Sequence, residues 1–396
     1  MSVCYDCIVL GLGGFGSAAL YHAAMRGLSV LGLEQFSIGH DRGSSHGETR
    51  IIRKAYFEHP DYVPLLLRAY ELWRDLEASE ELSLMHLCGL MLAGPPEGET
   101  IAGARLAARL HDLNLEDATP ADRAKRFSGF RIPENLEVVY ESDAGYLKVE
   151  HCVRAHVDAA LRVGATVAAD ETADEIKTVG RGWRVRTSKG TFESSSLIVT
   201  SGAWAPGILS HLGLSGLPLE IVRKPQFWFA VRTAKLAEDR GAPCFYFEMP
   251  NGLFYGFPSR DGQTIKAAEH SGGKSVEHNH PVRVNREVEP ADWENLAGFL
   301  GQCLPEVDPQ PVRASVCMYT LTPDRHFIVD RHPEHEHVSL GAGFSGHGFK
   351  FTPVIGEALV DLAIEGHTKY PIEFLSVGRD AIANAARKVT GKEKDV

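Results

Sequence analysis

Three places in this chain gather residues able to do chemistry. In the stretch Gly341 to Phe351, the glycines Gly341, Gly343, Gly346 and Gly348 stand among Phe344, Ser345, His347 and Lys350, between the apolar run Val338-Ser339-Leu340 and an amphipathic segment that begins at Thr352. Such a loop exposes backbone N–H groups at a helix N-terminus, where partial positive charge stabilises an anion. In the polar stretch Gly39 to Arg53, Arg50 and Arg53 stand three apart behind small residues. A forked guanidinium is the natural partner of a carboxylate, although by composition alone the stretch also reads as a solvated loop. In Thr264 to His270, strand alternation puts Lys266, Ala268 and His270 on one face, so that a cation and a titratable imidazole can point at one pocket. A solvated strand lysine is the plainer alternative for Lys266.

The elements that must position these residues begin at the N-terminal end. Cys7 to Leu10 reads as a buried strand, Gly11-Leu12-Gly13-Gly14-Phe15-Gly16 gives G-x-G-x-x-G, Ser17 to Arg26 reads as a helix ended by Gly27, and Val30 to Leu33 reads as a second strand closed by Glu34. Gly11, Gly13 and Gly16 permit a tight turn, close approach to a pyrophosphate and close helix packing, while Glu34 is placed to accept ribose hydroxyl protons. The unit predicts dinucleotide binding. An acid at position 34 disfavours the phosphate of NADP and leaves NAD and FAD open.

Further on, Tyr62, Leu65, Leu66, Ala69, Tyr70, Trp73 and Leu76 recur at helical spacing, with Asp61 as the expected N-cap, and form a core stripe. Residues 82 to 146 break into short strands and loops, and 217 to about 320 is β-rich, with a hairpin turn at Pro250-Asn251-Gly252. The predicted class is α/β in two domains of interleaved segments: residues 1–80, 148–216 and 321–396 form a Rossmann-like nucleotide-binding domain, and 81–147 and 217–320 form a second, β-sheet substrate domain.

A formal net charge of −11 argues against nucleic acid or an anionic membrane surface as partner. No apolar run approaches the length of a membrane span, and seven scattered cysteines read as reduced thiols, so a cytoplasmic protein is expected. Cys4 and Cys7 read as strand packing, and His332, His335 and His337 as an exposed turn, so no metal site is expected. The segment Lys388 to Val396 is expected to be a polar tail.

Taken together and in order, Gly11-x-Gly13-x-x-Gly16, Ser44 to Arg53, Tyr255-Gly256-Phe257-Pro258, Lys266 with His270, Cys317-Met318-Tyr319-Thr320 and Gly343 to Phe351 resemble the monomeric sarcosine oxidase and N-methyltryptophan oxidase family, nearly end to end. The resemblance implies an FAD-dependent oxidase of N-methyl or other secondary amino acids. Hydride passes to N5 of FAD, the imine hydrolyses to an aldehyde and a primary amino acid, and O2 is reduced to hydrogen peroxide. It implies FAD held covalently through Cys317, with Arg50 supplying positive charge beside the ring and His46 and Thr49 in the same cofactor loop. Positive charge beside a cysteine also favours the nucleophilic thiolate. Arg53 and Lys350 resemble the pair that clamps the substrate carboxylate, Tyr255 and His270 resemble pocket residues, Gly346, His347 and Gly348 resemble the contact with the electron-accepting edge of the flavin, and Lys266 resembles the lysine that activates O2. A small-molecule amine and O2 are the implied partners, and a monomer is the family expectation.

Two departures bear on that picture. Ser45 stands where familiar members carry a second histidine, and Tyr246, Phe254 and Glu269 stand around the pocket strands where members differ. The amine therefore stays open among N-methyl amino acids, a cyclic imino acid and a glycated amino acid, and a dehydrogenase passing electrons to another acceptor is the rival to an oxidase.

Overall fold

The computed structural model describes residues 3 to 277 and 280 to 390. A parallel sheet forms where the sequence is most apolar. Val3–Leu10 lies between Val30–Leu33 and Thr191–Val199, Val30–Leu33 pairs onward to Thr166–Ala168, and Val338–Ala342 adds to the far side of Thr191–Val199, all parallel. Gly182–Thr187 and Ala173–Val179 extend the sheet antiparallel from the other half of Thr191–Val199, and Ile328–Arg331 pairs antiparallel with Val338–Ala342. Both faces are covered, as a parallel sheet requires. The helices Gly14–Met25 and Thr352–Ile364 pack on one face so closely that a Cβ on Gly356 would lie 2.6 Å from that of Ala18.

The second sheet has nine strands, all drawn from 90–141 and 220–321. Its pairing is antiparallel except where Leu90–Gly94 runs parallel to Cys244–Met249. Alternation along its strands sorts side chains to two faces. Phe254 stacks at 4.5 Å on Phe299 of the helix Glu294–Cys303, while its neighbour Tyr255 turns to the opposite face with Tyr246 and Ala268. A small sheet of Thr49–Ile52, Gly145–Lys148 and Met85–His86 draws strands from both sequence regions and carries Arg50.

Several local expectations change. Residues 82 to 146 contain two helices, Glu99–His111 and Pro120–Arg126, beside the short strands. Asp61 is not an N-cap: Pro60–Tyr62 is a short 3-10 turn in which the His59 side chain accepts from the Asp61 amide, and the helix proper is Val63–Glu80. The core stripe from Tyr62 to Leu76 is buried as expected. His332 is buried rather than exposed, bonded through Nε2 to the Leu212 carbonyl at 2.8 Å. The helix Asp380–Thr390 runs into the expected polar tail, whose remainder, residues 391 to 396, lies outside the described residues. No described helix is long and apolar enough to cross a membrane.

Candidate active site

A cavity of about 530 Å³ opens at the carboxyl ends of the parallel strands and extends under the second sheet, the place where open α/β sheets hold ligands. Gly11, Gly13, Glu34, Arg50, Arg53, Tyr255, His270, Gly346, His347, Gly348 and Lys350 all line it. At the nucleotide end, Gly11 has φ +92°, and a Cβ there would lie 2.9 Å from the Thr200 carbonyl oxygen. Gly16 lies behind the lining, where a Cβ would fall 1.7 Å from the Gly11 oxygen. Only bare backbone fits this turn. The Glu34 carboxylate accepts from the Leu12 amide at 2.8 Å and the Phe36 amide at 3.0 Å, which fixes it at the end of its strand.

Three buried hydroxyls in the lining, those of Ser201, Tyr246 and Thr320, have no hydrogen-bond partner among the described residues. Buried polar groups are nearly always paired. The orphaned hydroxyls, the glycine cradle and the cavity's size fit a large polar cofactor.

At the other end two basic side chains, Arg53 and Lys350, stand with one carboxylate, Glu58. Arg53 is 4% exposed, donates to the Ala55 carbonyl at 2.9 Å and to Glu58 at 2.5 Å, and has its guanidinium 4.0 Å from the centre of the Phe57 ring. Burial pushes the Glu58 carboxyl up, but Arg53, His347 and Lys350 outweigh it and hold the group down at about 2. Lys350 donates to the His347 carbonyl at 2.7 Å. Burial, with Arg53 adding to it and Glu58 opposing, lowers Lys350 to about 7. Burial and then Lys224 lower His270 to about 3, so its imidazole is neutral at physiological pH, beside the rings of Tyr319, Tyr246 and Tyr255.

Arg50 forms the wall between this cavity and a buried thiol. Its guanidinium donates to the Ser44 carbonyl at 2.9 Å, to the Thr49 carbonyl at 2.9 Å and to Gln226 at 3.1 Å, and reaches the Cys317 sulfur at 3.5 Å. Cys317, His46 and Thr49 do not line the cavity and sit behind this wall. The His46 ring faces Ser315 at 3.3 Å and is held neutral by burial and by Arg50.

Two sequence expectations are redrawn. Lys266 and His270 share a strand face but do not share a pocket: His270 lines the main cavity, and Lys266 lines a separate one of about 410 Å³ with Glu48, Glu150, Arg260 and Arg313. Four residues of strand separate them by about 13 Å. Lys266 donates to the carbonyls of Gly47 at 2.5 Å and Thr49 at 2.9 Å, and burial, then Arg50, push its ammonium well below the ordinary lysine range. The His347 ring, in turn, is spoken for. Nε2 bonds the Arg325 carbonyl at 2.9 Å and must be the protonated nitrogen, so Nδ1 accepts from the Tyr56 hydroxyl. The backbone on either side remains available, since the amides of Gly346 and Gly348 have no acceptor among the described residues.

Sequence reasoning gave no role to Glu58, Tyr56 or Tyr319. Glu58 had a findable signal, an acid five residues beyond Arg53; Tyr56 and Tyr319 act through contacts distant in sequence, which spacing cannot reveal. Of the three residues expected around the pocket, only Tyr246 lines it. Phe254 faces the opposite core, and Glu269 bonds Ser271 and Asn295.

A glycine turn on a parallel strand, an acid closing the next strand and a large cavity beneath a second sheet define a dinucleotide-dependent oxidoreductase. Residues 6–362 match the FAD dependent oxidoreductase family, DAO, and the chain belongs to that family. It is 38% identical to monomeric sarcosine oxidase of Bacillus sp. (strain NS-129), covering 98% of this chain and 100% of the relative, and 40% identical to monomeric sarcosine oxidase of Streptomyces avermitilis, covering 97% and 100%. It is 34% identical to N-methyl-L-tryptophan oxidase of Yersinia pestis (strain Pestoides F), covering 95% and 99%. The resemblance read in the sequence is thereby borne out. Among solved structures, NikD, an unusual amino acid oxidase essential for nikkomycin biosynthesis, superposes with a TM-score of 0.82 at 28% identity over 95% of this chain and 98% of that one. The L-proline dehydrogenase of P. horikoshii shares the fold, with a TM-score of 0.82 at 19% identity over 100% of both chains.

Proposed function

We propose that this enzyme is an FAD-dependent oxidase of N-methyl or related secondary amino acids that uses O2 as acceptor and releases hydrogen peroxide. The observation that carries the reading is the pairing of Arg53 and Lys350, two buried cations in one cavity with the neutral His270. Together they receive one carboxylate and fix the orientation of the carbon beside the amine, which makes transfer effectively intramolecular. The same cations disfavour an ammonium beside them, so the amine binds uncharged with its lone pair available. Tyr255, Tyr319 and His270 exclude water from around the reacting C–H bond. Bound FAD would supply the two-electron acceptor and the route from it to O2.

Gly11, Gly13 and Gly16 would cradle its pyrophosphate and Glu34 its ribose. The amides of Gly346 and Gly348, oriented by the Tyr56–His347–Arg325 chain, would face its electron-accepting edge. Arg50 would lie beside the ring, and Cys317, in contact with Arg50, would hold the cofactor covalently. Lys266, one shared carbonyl from Arg50, would act on O2 from the second cavity. In this reading residues 1–80, 148–216 and 321–396 form the FAD domain, 81–147 and 217–320 the substrate domain, and the enzyme works as a cytoplasmic monomer.

Two measurements test it. Peroxide release is assayed across N-methyl amino acids, cyclic imino acids and glycated amino acids; turnover of the first group is expected, and its absence overturns the substrate assignment. The purified protein is then precipitated in acid: yellow colour staying with the polypeptide is expected, and its loss to the supernatant refutes attachment at Cys317.

A further inference from the structure

Two thiols meet outside the cavity. Cys88 lies just before the strand Leu90–Gly94, and Cys244 opens the parallel strand Cys244–Met249, whose first amide donates to the Gly89 carbonyl at 3.0 Å. Their sulfurs are 3.7 Å apart across 156 residues of sequence. The pair is asymmetric. Cys88 is partly exposed and Cys244 buried. The hydrogen bond from Cys244 lowers the Cys88 thiol below its ordinary range, while burial pushes that of Cys244 well up. One is thus accessible and nucleophilic, the other held in contact behind it, the arrangement of an attacking and a resolving thiol. Cys244 belongs to the apolar cluster that carries Tyr246 and Tyr255, and Cys88 packs against that cluster.

We propose that Cys88 and Cys244 are a peroxide-oxidisable pair that closes to an intrachain disulfide beneath the substrate cavity. The Cys88 thiolate attacks one oxygen of hydrogen peroxide and the O–O bond breaks. Cys88 becomes a sulfenic acid, and the departing hydroxide takes the proton lost from the thiol to leave as water. The Cys244 sulfur then attacks the Cys88 sulfur; the S–S bond forms, the S–O bond breaks, and a second water leaves with the Cys244 proton. Two thiols lose two electrons and two hydrogens, and one hydrogen peroxide becomes two waters. The sulfurs must close from 3.7 Å to about 2.05 Å, a short movement for side chains at the adjoining ends of two hydrogen-bonded strands. The thiol chemistry stands on its own geometry; only the peroxide's origin in the enzyme's turnover rests on the oxidase reading.

The test uses the holoenzyme. Hydrogen peroxide is added in small excess, free thiols are alkylated after denaturation, and the chain is weighed and digested. The expected result is a peptide linking Cys88 to Cys244 and a chain that carries two fewer alkyl groups than the reduced protein and is lighter by about a further 2 Da, the two hydrogens lost. The link should vanish in Cys88→Ser and persist in Cys4→Ser. Cys88 oxidised to sulfinic acid without a link, or Cys244 still fully alkylatable, overturns the proposal. A second arm runs aerobic amine turnover with and without catalase, and the link is expected only without it. A link with added peroxide but none during active turnover would refute self-generated oxidation while leaving the thiol pair standing. Absence of turnover itself counts against the oxidase reading alone.

Discussion

Lys350 is a lysine whose charge is in play near neutral pH. Burial and Arg53 lower it to about 7, and a bound carboxylate would favour its charged form. Below about 7 the free protein already carries the proton that the carboxylate needs. Above it, binding must also recruit a proton, so affinity falls by up to about tenfold per pH unit until the pKa of the complex is reached. A redox-inert carboxylate titrated against the flavin spectrum from pH 6 to 9 should show this weakening, and Lys350→Arg, which stays charged, should flatten it. Lys350→Ala should weaken carboxylate binding about 10- to 100-fold, the loss of one charge-assisted bond, with the flavin still attached. Flavin loss in that variant would contradict the division of labour drawn for the loop. Lys266 belongs to the other cavity, and Lys266→Met should slow reoxidation of the reduced enzyme by O2 by on the order of 10²- to 10³-fold while leaving reduction by substrate nearly unchanged. Stopped-flow measurement of the two half-reactions separates these effects. Equal slowing of both would mean that the lysine serves only to bridge the carbonyls of Gly47 and Thr49.

The loop from Gly343 to Gly348 acts as one element because its backbone is constrained at three points. Gly343, Ser345 and Gly346 all have positive φ, at +61°, +48° and +84°. A Cβ on Gly346 would sit 2.3 Å from the Tyr319 ring. Gly346→Ala should therefore strain the backbone, at a cost of about 1–3 kcal/mol, and displace Tyr319 from beside His270. A lower thermal midpoint together with a raised KM is the expected result, and unchanged values for both would show that the loop yields without cost. Such elements were legible in the sequence where local chemistry dictates them: the glycine turn, the strand ending in Glu34, the hairpin at Pro250-Asn251 and the core stripe from Tyr62 to Leu76 all form where read. The helices Glu99–His111 and Pro120–Arg126 escaped although local signals were there: Ile101, Ala104, Ala107 and Ala108 recur at helical spacing, and Pro120 opens the second helix behind a Thr119–Asp122 capping box. The separation of Lys266 from His270 had no such signal. Alternation gives the face of a strand, and only tertiary structure decides which cavity each end of that face meets.

At the scale of the whole molecule, buried histidines tie stability to pH. Burial is the leading cause in each case: it lowers His22 and His347 to about 4, and His46, His156 and His270 to about 3. Their distribution makes the effect global. His22 and His156 lie in the helices Gly14–Met25 and Val149–Arg162, whereas His270 and His347 line the cavity and His46 sits behind its Arg50 wall. The unfolded chain binds these protons near pH 6.5 and the folded chain refuses them until about pH 3 to 4. Stability from these groups is therefore whole above about pH 6.5 and is lost as pH falls. Each histidine steepens the loss by up to about 1.4 kcal/mol per pH unit. The thermal midpoint should accordingly fall between pH 7 and pH 5, before most carboxylates have titrated, and unfolding at pH 5.5 should take up several protons from buffer. His156→Phe, which removes one titration from the helix packing, should reduce both the slope and the uptake, even if its absolute midpoint is lower. A flat midpoint across that range with no proton uptake would mean that these imidazoles are protonated inside the fold, and would remove the basis for a neutral His270 beside the substrate amine.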